Sequence, residues 1–221
     1  MKIKEDKGQR DGGWLSLAER LLSSIFICLL LSSSISLLSC SEDSEEEGEF
    51  DNWQEKNEAV LSQWVSNSSY RKILTYSKTD GVATQTKPSD YIYVEVLEQG
   101  NGSTTPLFTD TVRVAYRGHY IPTESYADGL VFDQTYTDDF NWQTAGVSKF
   151  VTSGVVDGFG TALMNMHVGD RWRVRIPYAL AYGENPPSTV SVPAYSNLVF
   201  EIAMYDFWHP GEYRPTFKTR K

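Results

Sequence analysis

Between residues 171 and 176 the chain alternates strictly, with Trp172, Val174 and Ile176 interleaved by Arg171, Arg173 and Arg175. A period of two belongs to a strand with one face on a core and the other toward water. The three apolar residues are therefore expected to point inward and the three arginines outward onto a solvated sheet face. Strand-like stretches also run over residues 91–98, 111–118 and 198–207. One segment breaks this rhythm: Phe159, Ala162, Leu163 and Met166 recur at i, i+3, i+4 and i+7 before Val168, Gly169 and Asp170 end the pattern. A short helix with one apolar stripe can cover one face of a curved antiparallel sheet, so the pattern predicts an α+β fold.

Upstream, Phe50, Trp53, Val60, Leu61, Trp64 and Val65 fall near helical spacing, with a gap at Asn57. Asp51 and Glu55 suit the positive end of a helix dipole. Asn67, Ser68 and Ser69 supply a stop, after which residues 70–76 read as a second short helix or an irregular connector. Trp53 and Trp64 are expected to pack on the following domain. The resulting organisation is a helical stem over residues 50–86, a β-rich domain over 87–208 and a frayed, solvated basic tail over 209–221.

The N-terminal region follows different logic. Nineteen uncharged residues, 21–39, follow a segment carrying Lys2, Lys4, Lys7, Arg10 and Arg20, the arrangement of an export signal. A membrane-spanning helix competes, because nineteen residues just reach across a bilayer, although seven of them are serine. Leu37, Leu38, Ser39 and Cys40 resemble the lipobox of bacterial lipoproteins, with an atypical Leu at its second position. That resemblance implies a signal peptide over residues 1–39 and lipidation of Cys40, tethering the protein to a membrane. Six carboxylates between Ser41 and Glu49 repel one another and read as a flexible acidic tether over residues 40–49. This run also resembles the acidic export signal of some surface lipoproteins, which implies an outer-membrane lipoprotein of the cell envelope facing outward.

Charge and scarce residue types narrow the chemistry. With 29 acidic against 20 basic residues and a net charge of −9, the chain lacks the basic surface on which nucleic-acid binders rely, so no nucleic-acid partner is expected. Its only cysteines, Cys28 and Cys40, sit in the N-terminal segment, and His119, His167 and His209 are far apart. Neither a metal site nor a Cys/His nucleophilic pair is expected, and each histidine reads as a surface or rim residue.

Five segments occur in an order that resembles the FKBP-type peptidyl-prolyl isomerases: VRVAYRGHY, LVFDQTY, GVVDGFGTALMNMHVGDRWRVRIP, LAYGE and VPAYSNLVFEIAMYDF. The resemblance spans about 120 residues and implies a half-barrel of antiparallel strands wrapped on the short helix. It also implies a proline-binding pocket with Tyr116, Phe132, Asp133 and Tyr182 as the catalytic set and Val155, Val156, Phe159, Val192 and Phe200 as substrate-binding walls. No cofactor is implied, and the partners would be proline-containing peptides or unfolded proteins. Three features depart from the family pattern: Phe159 stands where a Trp is usual, Ser148 replaces a common aromatic, and the loop over residues 120–130 is long. A catalytically weak peptide-binding or chaperone module is therefore the alternative function.

Overall fold

The computed structural model describes residues 48–78 and 85–212; the segment expected to be a signal peptide, Cys40, most of the expected acidic tether and most of the tail lie outside the described residues. Seven strands form one antiparallel sheet: β1 (Arg71–Leu74), β2 (Tyr91–Glu98), β3 (Thr111–Tyr120), β4 (Val131–Gln134), β5 (Ser148–Val151), β6 (Arg171–Ile176) and β7 (Leu198–Trp208). Their order is β1-β2-β6-β7-β3-β4, with β5 also pairing β3. Among the described residues the α-helices are α1 (Trp53–Ser66) and α2 (Asp157–Leu163).

The alternation in β6 works as its pattern predicts. Trp172, Val174 and Ile176 are buried, and α2 packs on this face so closely that a Cβ on Gly158 would lie 2.3 Å from Ile176. Register carries the same inner face across the sheet, since Val174 pairs with Phe200 on β7, and Phe200 pairs with Gly118 on β3. Ala162, Leu163 and Met166 of the helical stripe are fully buried beneath it. Gly169, at φ +92°, supplies the left-handed turn that a residue with a Cβ disfavours, and the chain then enters β6.

The outer face departs from expectation, because it is less a solvated surface than a ladder of ion pairs. Arg171 bridges Glu98 and Glu201 at 3.1 and 2.9 Å, Arg173 bridges Glu95 and Glu201 at 3.5 and 2.6 Å, and Arg175 meets Glu95 at 3.0 Å. Aromatic rings cover two of these guanidiniums, Arg171 lying 4.6 Å from the Phe140 centroid and Arg175 4.0 Å from that of Tyr70. Opposite charges on paired strands lie close enough to neutralise one another, which sequence spacing within one strand cannot reveal. His119, expected at the rim, is partly buried on this face with its Nδ1 2.8 Å from the Tyr120 carbonyl, and burial lowers its pKa.

Residues 71–74 form a strand, not a helix or connector: Arg71 to Leu74 pair antiparallel with Val94 to Tyr91, which protects an edge that β2 would otherwise expose. Helix α1 does pack on the rest of the protein, with Trp53 and Trp64 buried and Trp64 tilted against Tyr93 at 6.3 Å. The gap at Asn57 proves to be a fully buried polar residue, whose Nδ2 donates to the Trp53 carbonyl at 2.7 Å while its oxygens accept from Asn197, 140 residues away. Asn67 ends the helix as the stop signal predicts, its N–H reaching the Trp64 carbonyl and its Oδ1 accepting from the Ser69 N–H.

Candidate functional site

At one end of the inner face, strands β3, β4 and β7 and helix α2 bring aromatic side chains together. Period two along β3 places Tyr116 and Gly118 on the inner side, and Gly118 leaves the room that rings from neighbouring strands occupy. A Cβ there would lie 2.5 Å from Phe200 and 2.9 Å from Phe132. Phe159, near the start of α2, stands edge-on to Phe200 with centroids 4.9 Å apart, and edge-on to Tyr116 at 6.0 Å. Phe132 meets Phe200 edge-on at 5.5 Å. Edge-to-face packing suits the ring quadrupoles and holds the cluster as a rigid cup.

The structure thus gathers five of the residues singled out in the sequence: Tyr116, Phe132, Asp133, Phe159 and Phe200. Val155 and Val156, in the turn entering α2, pack against the same core, as do Tyr182 and Val192 from the long segment between β6 and β7. Two aromatic walls escaped the sequence reading. Tyr120 stacks on Phe132 at 5.0 Å, and Phe150 packs on Tyr116 and Phe159 at 5.6 and 6.1 Å. Tyr120 was legible in principle, since it continues the inward alternation of Tyr116 and Gly118. Phe150 lies beside the missing aromatic at Ser148 and supplies a ring from β5.

Polar groups stand at the rim. Asp133 is exposed, and its Oδ2 accepts a 2.7 Å hydrogen bond from the Tyr116 hydroxyl. Burial and the Asp133 carboxylate together push the Tyr116 phenol far above its ordinary range. Burial, with a smaller contribution from Asp133, also raises Tyr182; this phenol is a donor throughout the neutral range. Among the described residues no group of three or more His, Cys, Asp or Glu is placed to hold a metal ion. The arrangement can accept a compact apolar ring, exclude water from an adjoining amide and offer a few fixed dipoles.

The antiparallel half-barrel closed on one short helix thus carries an aromatic cup with the Asp133 carboxylate at its rim. Residues 102–205 match the family model described as FKBP-type peptidyl-prolyl cis-trans isomerase. The FKBP-type 22 kDa peptidyl-prolyl cis-trans isomerase of Escherichia coli is 38% identical over 111 residues, 50% of this chain and 47% of the relative. FkpA of the same species is 32% identical over 131 residues, 59% and 42% of the two chains. The chain thus spans about half the length or less of these two curated relatives. Among solved structures, FkpA from Escherichia coli aligns with a TM-score of 0.51 at 23% identity, covering 86% of this chain and 71% of that one. A peptidyl-prolyl cis-trans isomerase from Pseudomonas syringae aligns with a TM-score of 0.50 at 22% identity, covering 72% and 96%. These likenesses establish the fold.

Proposed function

We propose that the protein is a peptidyl-prolyl cis-trans isomerase acting on X-Pro bonds of exported proteins. The observation that carries this reading is the cup of Tyr116, Phe132, Phe159 and Phe200 with Asp133 held at its rim by Tyr116, in a domain of matching family. Amide resonance sets a barrier of about 18 to 20 kcal/mol to rotation about C–N. Twisting the bond needs neither a nucleophile nor an electron acceptor. A pyrrolidine ring seated in the cup would leave its amide in a dry setting that favours the less dipolar, twisted state.

Each residue then has a defined task. The rings of Phe132, Phe159 and Phe200, with Val155, Val156 and Val192, receive the proline. Tyr182, whose hydroxyl has no protein partner among the described residues, donates to a substrate carbonyl. Asp133, oriented by Tyr116, presents its carboxylate beside the rotating amide. A thousandfold acceleration requires about 4 kcal/mol of differential stabilisation, within reach of such contacts.

Cleavage before Cys40, lipidation of that residue and an outward-facing tether complete the proposal, supported by the lipobox-like residues 37–40 and the acidic run after them. More than one acyl chain on the cysteine would give stable anchoring.

Relaxation of cis X-Pro peptides by the full chain, with X varied, tests the activity. Acceleration lost in Asp133→Ala is the expected result. A folded protein that leaves the uncatalysed rate unchanged for every X, yet binds the peptides, would assign the cup to peptide holding alone. Incorporation of labelled fatty acid into wild type but not Cys40→Ala tests the anchor. Digestion of the domain by protease added to intact cells tests its outward placement; full protection would refute it.

A further inference from the structure

The segment over residues 177–197 carries Tyr182 and Val192, yet its only helical turn is Tyr178–Leu180. Its order comes from elsewhere. The Trp53 indole at the start of α1 donates to Ser196 Oγ at 2.8 Å, and that hydroxyl donates in turn to the Pro193 carbonyl at 2.7 Å. One helical turn later, Asn57 Oδ1 accepts the Asn197 N–H at 2.8 Å, while the Asn57 carbonyl accepts from Asn197 Nδ2 at 2.6 Å. Asn197 Oδ1 then accepts the Tyr178 N–H at 2.8 Å, so the two ends of the segment are joined through a residue that α1 holds. From the cup side, the Tyr120 hydroxyl donates to the Ser191 carbonyl at 3.0 Å. Tyr120 itself lies between Trp53, edge-on at 6.1 Å, and Phe132, stacked at 5.0 Å.

We propose that α1 is a positioning element for the substrate pocket, with Trp53 and Asn57 fixing the segment that presents Tyr182 and Val192. Apolar packing alone would anchor a helix without these bonds. Asn57, Ser196 and Asn197 are all buried, and a buried polar group is costly unless its partner is in place. The two hydrogen bonds that Asn197 donates to Asn57 therefore fix one arrangement of helix and loop, and a fixed wall lowers the ordering that substrate binding must supply. The catalytic part of this inference rests on the isomerase reading; the ordering of the segment does not.

Amide hydrogen exchange and peptide kinetics on the full chain test it, using Trp53→Phe, which keeps an aromatic ring but removes the indole donor, and Ser196→Ala. Trp64→Phe, altering the contact of α1 with Tyr93, is the control. Exchange over residues 178–197 is expected to rise about three- to tenfold in the first two variants, the scale of one hydrogen bond. KM for X-Pro peptides should rise by a similar factor with kcat little changed, and Trp64→Phe should alter neither. Unchanged loop exchange, an equal rise in Trp64→Phe, or faster exchange with unaltered KM would each overturn the inference. A wild type without isomerase activity would refute the function instead, and loop exchange together with calorimetric titration of a proline peptide would then decide the positioning role.

Discussion

The Tyr116 hydroxyl donates to Asp133 Oδ2 at 2.7 Å, joining a buried residue of β3 to an exposed one of β4. The bond has a direction: the phenol keeps its proton, because burial and the neighbouring carboxylate both oppose ionisation. The bond thereby holds the Asp133 carboxyl group on a fixed axis at the rim of the cup. Tyr116→Phe should preserve the ring packing and lower kcat/KM about ten- to hundredfold, since a hydrogen bond to a charged group is worth about 1.5 to 3 kcal/mol. Peptide relaxation rates, with circular dichroism to verify folding, check this; full activity in the variant would remove the orienting role.

Buried tyrosines in and beyond the cup also set an alkaline limit. Burial first, then the Asp133 charge, raises Tyr116 and Tyr182, and burial with the nearby Tyr136 pushes Tyr205 up to about 12. A group whose folded pKa exceeds its unfolded value contributes stability that is whole below the unfolded pKa and disappears as pH rises through the folded one. For these tyrosines the loss begins near their ordinary value of 10.0. Denaturation midpoints should therefore hold steady from neutral pH to about pH 9 and fall above pH 10. Tyrosinate absorbance of these residues should appear together with unfolding, and early titration in a still folded protein would contradict the burial argument.

Most of the sheet and much of the cup were legible because they depend on local periodicity and ordered motifs. Trp172, Val174 and Ile176 announce an inner face by alternation, and the helical stripe from Phe159 to Met166 announces what covers it. Residues 71–74 were not legible as a strand, since RKIL has no alternation and forms β1 only by pairing with β2. The outer arginines looked solvated for a similar reason, as Glu95, Glu98 and Glu201 come from other strands. Asn57 read as a defect in an amphipathic helix, although its buried partner at Asn197 makes it a contact point. In each case the missing information was a pairing across long sequence separation.

The ion-pair ladder yields an acid-side prediction. Burial alone would raise the Glu201 carboxyl, but hydrogen bonds and charge from Arg173 and Arg171 outweigh it and hold the pKa below its ordinary 4.5. A depressed carboxyl contributes stability that is present above the unfolded pKa and lost as pH falls through the folded one. Stability should therefore decline below about pH 4.5 in wild type. Glu201→Gln should be less stable by about 2 kcal/mol at neutral pH, because two guanidiniums lose their shared partner, and its acid decline should be shallower. Urea titrations between pH 3 and 7 measure both quantities; parallel declines would show that Glu201 does not carry the effect.

The tightest steric prediction concerns Gly118. It pairs with Phe200 on β7 and Asp133 on β4, and the space above it is filled by the Phe132 and Phe200 rings, 2.9 and 2.5 Å from where a Cβ would stand. Its backbone is ordinary strand, so the cost of a methyl there is collision and not conformational strain. The rings cannot withdraw freely, since Phe132 is stacked on Tyr120 and Phe200 is packed edge-on to Phe159. Gly118→Ala should therefore cost about 1 to 3 kcal/mol of stability and displace the two rings that form the cup. Loss of peptide binding should exceed what the small change in bulk suggests. Gly183→Ala is the informative contrast: that glycine has open space around its Cβ position but a φ of +70°, so its penalty comes from the backbone alone. Chemical denaturation and peptide titration of both variants separate the two causes. Normal binding by a folded Gly118→Ala protein would show that the cup tolerates what its geometry forbids.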